Sequence, residues 1–160
     1  MNNLELPNTI LTWLESVSQV EHKRPSDVIV DLVLSSMDTS ERLSTLIKLS
    51  QEFEEIGDSL ITKDLVEAGE AYWRSLSYLM RAVALNMGFE IATYQDHYAF
   101  IEYLAYKLGK GSLVVSFVNA ERLHGEFHPR PQSPEEFEFR KNHLKSLLVE
   151  LRYLINELKK

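Results

Sequence analysis

The stretch that decides the fold is DLVEAGEAYWRSLSYLMRAVALNMG, residues 64–88. Its apolar side chains recur every three or four positions, which is the spacing of one face of an α-helix. Asp64 has the short carboxylate typical of a helix N-cap, and Gly88 is typical of the residue that follows a helix end. The inward-facing positions are Ala68, Tyr72, Leu76, Leu79, Val83 and Met87. The stretch therefore predicts one long helix against a packed core.

Helical spacing continues on both sides of this stretch. It predicts helices over residues 38–62, where Gly57 is a weak point, over 96–108, and over a last long segment up to the C-terminus. The run 113–118 is rich in β-branched residues, but its apolar positions keep helical spacing and no partner strand lies nearby, so we predict a helix there also. Short connections indicate antiparallel neighbours. The sequence thus predicts an all-α, antiparallel up-and-down helical bundle over 38–160.

Residues 1–37 form a separate two-helix unit in this interpretation. Helical spacing covers 7–20 and 25–37, and a short extended segment, 3–6, precedes them. This order resembles a ribbon-helix-helix module, which dimerises so that paired strands enter a DNA major groove. The unit carries five acidic and two basic side chains, however, and such a balance opposes contact with DNA phosphates. We therefore expect a dimerisation or packing role, and a homodimer, in preference to DNA binding.

Composition excludes several classes of protein. The net charge of −7 and the pI of about 5.3 oppose a protein that coats nucleic acid with a broadly basic surface. With no cysteine, the chain has no disulfide, thiolate metal site or cysteine nucleophile. The start lacks the pattern of a secretory signal, and no apolar run is long enough to span a bilayer. These features predict a cytoplasmic protein with no membrane partner.

Three short elements of the main body carry a family resemblance. They are the alanine, glutamate and tryptophan of the stretch 64–73, the histidine near the start of the next helix, and a leucine-histidine-x-x-phenylalanine element. The matching positions are Ala68, Glu70, Trp73, His97, Leu123, His124 and Phe127, and the departures are Gly69 for serine, Ala71 for lysine and Glu126 for asparagine. With these elements, the chain from Leu46 onward resembles the archaeal PaREP-one family of helix bundles, which is related to the HEPN domains.

The resemblance implies a HEPN-like bundle that is associated with nucleotide or RNA binding. It also implies a small nucleotidyltransferase as protein partner, if one is encoded beside it in a toxin–antitoxin pair. HEPN ribonucleases use an arginine followed a few residues later by a histidine, and Arg122 and His128 have that arrangement. In such chemistry a guanidinium holds the phosphate and an imidazole exchanges the proton of the attacking 2′-hydroxyl. A metal-independent ribonuclease with these two catalytic residues is therefore one hypothesis.

A non-enzymatic binding module for nucleotide, RNA or a protein partner is the preferred hypothesis. Residues 105–132 contain four basic and two acidic side chains, which makes this a locally basic stretch of the chain. The candidate ligand-binding residues are Glu121, His124, Arg130, Trp73 and Arg74. Aromatic side chains at helical spacing are more often part of the core, however, and a histidine on such a face is often buried. Glu70, His97 and His124 are therefore also predicted to meet in a buried polar network.

A zinc site is a weaker hypothesis for the same region. Glu121, His124 and His128 include two histidines four residues apart, a spacing that lets both bind one ion from one helix face. Gly125 and Pro129 interrupt the helical turn beneath His128, which opposes this arrangement. The sequence therefore predicts neither a metal nor any other cofactor.

Overall fold

The computed structural model describes residues 3–126, 128 and 131–158, and this part of the chain contains seven α-helices and no strand. The helices are α1 (Asn8–Glu21), α2 (Pro25–Ser35), α3 (Thr39–Leu60), α4 (Leu65–Asn86), α5 (Tyr94–Leu108), α6 (Ser112–Glu121) and α7 (Pro134–Leu158). The predicted all-α class is confirmed, and so is the helix over the β-branched run, which lies in α6. Among the described residues, no helix has both the length and the apolar character needed to cross a membrane.

The chain divides into two compact units, Met1–Arg42 and Leu43–Lys160, five residues beyond the boundary expected from the sequence. The first turn of α3 belongs to the first unit because Arg42 donates from Nε to the backbone oxygen of Leu34 at 3.0 Å. Asp38 caps α3, since its carboxylate accepts the N–H of Glu41 at 2.8 Å.

The first unit has a small buried core. Only Leu14, Val28 and Leu34 of α1 and α2 are buried. Residues 3–6, which are expected from the sequence to be extended, contain no regular secondary structure. Several large apolar side chains of this unit are exposed, namely Leu4, Ile10, Leu11, Trp13, Val20, Leu32 and Val33. Leu32 and Val33 of α2 thus point to solvent, whereas Leu34 of the same helix is buried.

The centre of the second unit is α4. From Ala68 to Ala84 almost every side chain is buried, so the single inward stripe expected from the sequence is too narrow. Each of the other four helices of the unit covers one part of it. The covering contacts are Ser50 with Ser75 from α3, His97 with Ser77 from α5, Phe117 with Trp73 from α6, and Phe137 with Tyr72 from α7.

Gly57 lies within an uninterrupted α3 and not at a kink or an early end. A Cβ atom at this position would lie 2.7 Å from the ring of Tyr72, so the glycine allows close approach of α3 to α4. The Tyr72 hydroxyl donates to Asp58 at 2.5 Å, and the Lys145 ammonium donates to Asp58 and Glu54, each at 2.8 Å. These contacts join α3, α4 and α7.

The connection between α4 and α5 interrupts the alternation of direction expected for an up-and-down bundle. Residues 87–93 run back along α4, because His97 lies against Ser77 in the middle of that helix. Tyr103, farther along α5, packs edge-on against Phe89 just beyond the end of α4, with ring centroids 5.1 Å apart. The two helices therefore run in the same direction, and the start of α5 lies beside the middle of α4.

Candidate functional site

The side chain of Glu70 is the centre of a polar cluster inside the second unit. It is 1% exposed, and its Oε2 atom lies 2.8 Å from Nδ1 of His124. Its Oε1 atom accepts the backbone N–H of Glu126 at 3.0 Å. Burial of a carboxylate is costly unless the group is paired and hydrogen-bonded, and these contacts meet that requirement. Glu70 thereby ties α4 to the chain that follows α6.

Gly69 is the residue that allows this contact. A Cβ atom here would lie 2.5 Å from the backbone oxygen of Leu123. Such a clash could be removed only by a shift of the backbone. The absence of a side chain lets the end of α6 approach α4 closely enough for Glu70 to reach His124.

Trp73 lies between the two buried histidine rings. Its indole is parallel to the imidazole of His124, with centroids 5.3 Å apart and planes 9° apart, and its centroid is also 5.3 Å from that of His97. Trp73 is buried among rings of its own chain, and its role in ligand binding stays a prediction. Arg74 lies over the ring of Phe53, on the side of α4 that α3 covers.

His97 is held by the first turn of α5. Thr93 and Asp96 form a capping box that begins this helix two residues before the expected start. The Nδ1 atom of His97 lies 3.0 Å and 3.1 Å from the backbone oxygens of Thr93 and Tyr94, so Nδ1 carries a hydrogen that it donates. Its Nε2 atom lies 2.7 Å from the hydroxyl oxygen of Ser77.

Glu70, His97 and His124, which are predicted to form one buried network, are all buried. The hydrogen bonds named so far do not connect all three side chains. Glu70 and His124 are in direct contact, whereas His97 is joined to His124 through the indole of Trp73. The partner of His124 lies 54 positions away in the sequence, a separation that no local spacing rule connects.

A second carboxylate–histidine pair lies at the end of α6. The Nε2 atom of His128 is 2.8 Å from Oε1 of Glu121, whose side chain is 4% exposed, while that of His128 is 26% exposed. Glu121 therefore orients a more accessible imidazole, as carboxylates commonly do for histidines that exchange protons. With Nε2 on the carboxylate, Nδ1 is the ring nitrogen that can face a bound molecule.

Arg122 follows the buried Glu121 and is exposed. Its charge acts on the phenol of Tyr98: burial raises the pKa of Tyr98, and the nearby guanidinium partly opposes that rise. The backbone oxygen of Arg122 accepts a hydrogen bond from Nε2 of Gln132 at 2.8 Å. Arg130, the other predicted cationic ligand-binding residue, lies outside the described residues, as do Phe127 and Pro129.

Residues that could hold a metal ion are also present, but they differ from the set considered from the sequence. His124 faces Glu70 and His128 faces Glu121, so Glu121, His124 and His128 do not converge as one set of ligands. Potential ligand atoms of Glu70, His124 and Glu126 instead lie within 4.8 Å of one another. In the sequence, Glu126 is noticeable only as a departure from the family pattern.

The helices and these paired contacts define an all-α helical-bundle protein with a polar site between its central helix and the end of α6. Residues 45–148 match the archaeal PaREP1/PaREP8 family, and the chain belongs to that family. The matched range contains Glu70, Trp73, His97 and the whole segment from Glu121 to His128. No curated protein sequence and no solved structure matches the chain.

Proposed function

We propose that this PaREP1/PaREP8 family protein is a non-enzymatic, dimeric binding module that recognises the phosphate of RNA or of a nucleotide at the end of α6. The observation that carries the proposal is the exposed Arg122 beside the Glu121–His128 pair. A guanidinium presents several fixed N–H donors that match a phosphate group.

The surroundings of Arg122 support an RNA or nucleotide ligand over a simple anion. Tyr98 lies close enough for the guanidinium charge to affect its phenol, and it is only partly buried. Its ring is held edge-on against Phe117, with centroids 4.9 Å apart and planes 88° apart. A fixed, partly exposed aromatic ring beside a cation is suited to stacking of a base next to its phosphate.

The first unit supports the dimeric part of the proposal. Its 42 residues are close to the size, about 40 residues, below which a chain usually needs oligomerisation or cross-links for stability. It buries few apolar side chains and exposes Trp13, Leu32 and Val33 among others. Because residues 1–37 are acidic, nucleic acid is a poor partner for this surface, and a second copy of the chain is the partner we propose.

Fluorescence anisotropy with a labelled single-stranded RNA tests the binding proposal. Arg122→Gln should raise the Kd at least about tenfold, because it removes a charge-assisted phosphate contact. Lys48→Gln removes the same charge from an exposed position on α3 and should change the Kd little. Equal effects of the two substitutions would contradict the proposal. Competition by unlabelled ATP would identify a nucleotide as the ligand instead of the polymer.

A metal-independent ribonuclease is the second candidate, and the 2.8 Å contact of His128 with Glu121 favours it. The oriented imidazole would remove the proton of an RNA 2′-hydroxyl, whose oxygen attacks the adjacent phosphorus. The bond from phosphorus to the 5′-oxygen breaks and the imidazolium returns its proton to that oxygen, which leaves a 2′,3′-cyclic phosphate and a 5′-hydroxyl, while Arg122 holds the charged phosphoryl oxygens.

Incubation of the purified protein with RNA and a chelator separates this candidate from simple binding. Cleavage that is lost in both His128→Ala and Arg122→Gln would establish the ribonuclease. Cleavage that persists in both variants would show a contaminating nuclease. Binding without cleavage by the unmodified protein would support the non-enzymatic proposal.

A further inference from the structure

We infer that Glu70, His124 and Glu126 bind one divalent ion of the first transition series. Their potential ligand atoms, an imidazole nitrogen and two carboxylate oxygens, lie within 4.8 Å of one another. The three residues come from α4 and from the chain just after α6, so the complete set exists only in the folded second unit. This site is distinct from the phosphate site proposed at Arg122 and does not depend on it.

The separation of the two buried ligands lets both bind one ion. Metal–nitrogen and metal–oxygen bonds of about 2.1 Å to atoms 2.8 Å apart subtend an angle of about 85° at the ion. Nδ1 of His124 and Oε2 of Glu70 are thus spaced as neighbouring ligands without movement of either helix.

The proposed ligands differ in burial, so the ion would be held by buried side chains on one side and would be open to solvent on the other. Glu70 and His124 are buried, whereas Glu126 is exposed. The parallel indole of Trp73 fixes the plane of the His124 ring. The backbone N–H of Glu126 donates to the other oxygen of Glu70, and such outer contacts orient metal-binding carboxylates. Glu126 therefore closes the site from the solvent side, where water molecules would complete the coordination.

The donor chemistry selects the class of ion. Two carboxylates neutralise a doubly charged cation and so offset the cost of placing charge in a buried region. The imidazole favours transition metals over calcium and magnesium, which prefer oxygen ligands alone. Binding at Nδ1 replaces the hydrogen that this nitrogen otherwise donates to Glu70. Co²⁺ and Zn²⁺ are therefore suitable probes, and Ca²⁺ is the matched negative ion.

The test uses the full-length protein carrying Trp13→Phe, which leaves Trp73 as its single tryptophan. After treatment with a chelator and its removal, Co²⁺ should quench Trp73 fluorescence because the proposed ion binds the ring stacked on that indole. Calorimetry with Zn²⁺ should give one ion per chain, and Ca²⁺ should give neither signal.

Glu126→Gln and Glu135→Gln are the paired variants, since both glutamates are exposed and both substitutions remove one charge. Glu126→Gln should weaken Co²⁺ and Zn²⁺ binding at least about tenfold, whereas Glu135→Gln should leave both unchanged. The inference is wrong if Co²⁺ does not quench Trp73, or if the two variants bind the ions equally. No RNA is present in this experiment, so its failure is separable from failure of the phosphate site.

Discussion

The imidazole of His124 lies parallel to the indole of Trp73, with ring centroids 5.3 Å apart and planes 9° apart, while its Nδ1 edge meets Glu70 at 2.8 Å. Trp73 contacts the face of the imidazole ring, and Glu70 contacts its Nδ1 edge. The position of the chain after α6 therefore depends on an apolar contact and a charged contact at the same residue.

Replacement of His124 should destabilise the protein. His124→Leu leaves the buried Glu70 carboxylate without its imidazole partner, and loss of one partner of a buried pair costs roughly 3 kcal/mol. Urea unfolding would measure the change in the free energy of unfolding. In the double variant with Glu70→Gln the loss should be smaller than the sum of the two single losses. Unchanged stability of His124→Leu would contradict a structural role for the pair.

Gly69→Ala should destabilise the protein more than Gly57→Ala. In an exposed helix, replacement of glycine by alanine normally stabilises the helix by about 1 kcal/mol. At Gly69 the new methyl group meets the backbone oxygen of Leu123 at 2.5 Å, whereas at Gly57 it meets the side-chain ring of Tyr72 at 2.7 Å. Backbone atoms shift less readily than a side-chain ring does, so we expect Gly69→Ala to lower the free energy of unfolding by about 2 kcal/mol or more. Urea unfolding of both variants would check the order.

Stability should fall on acidification below about pH 5. Burial alone would raise the pKa of Glu54, but hydrogen bonds from Lys145 and Arg152 outweigh it and lower that pKa. The pKa of Asp58 is lowered in the same sense, with hydrogen bonds from Lys145 and Tyr72 exceeding the effect of burial. A lowered folded-state pKa stabilises the protein above the unfolded-state value, and that contribution disappears as the pH falls through the folded-state value.

Lys145→Met isolates this contribution. The variant should lose about 1 kcal/mol near neutral pH and should show a smaller further loss between pH 7 and pH 3, because the carboxylates no longer gain from the ammonium. Urea unfolding across that pH range is the measurement. A variant with the same pH dependence as the unmodified protein would assign the acid sensitivity to other groups.

Leu32→Glu should shift the protein from dimer to monomer if the first unit joins two chains. The substitution places a charge on an exposed apolar position of α2, and it is matched by Val149→Glu on an exposed apolar position of α7. Light scattering after size-exclusion chromatography would report the mass. Dissociation by Val149→Glu alone would place the contact between chains on α7 instead.

The helices of this protein are largely predictable because their spacing is a local property. The helix at Leu113 is an example, since its apolar period outweighs its β-branched composition. The direction of a helix and the burial of its side chains depend on residues far apart in the sequence. The return of residues 87–93 along α4 depends on the packing of His97 against Ser77, and the burial of most of α4 depends on four other helices.

The residues of the candidate site can be picked out from the sequence, but which of them contact one another cannot. Glu70 and His124 are noticeable in the sequence through the family elements, and the structure brings them together across 54 positions. Glu121 and His128 are noticeable as a ligand and a base, but their contact requires the chain to leave the helix after α6. The contribution of Gly69 has no sequence signal, because it is a backbone approach between two helices.

The enclosure of α4 has a consequence for hydrogen exchange. Amides of a helix whose side chains are mostly buried by neighbouring helices are reached by solvent mainly when those helices separate, so their exchange should report global opening of the second unit. Amides of α1 and α2, which surround a much smaller core, should exchange through a separate and less costly opening. The slowest-exchanging segment of the chain would then be the one that carries Glu70.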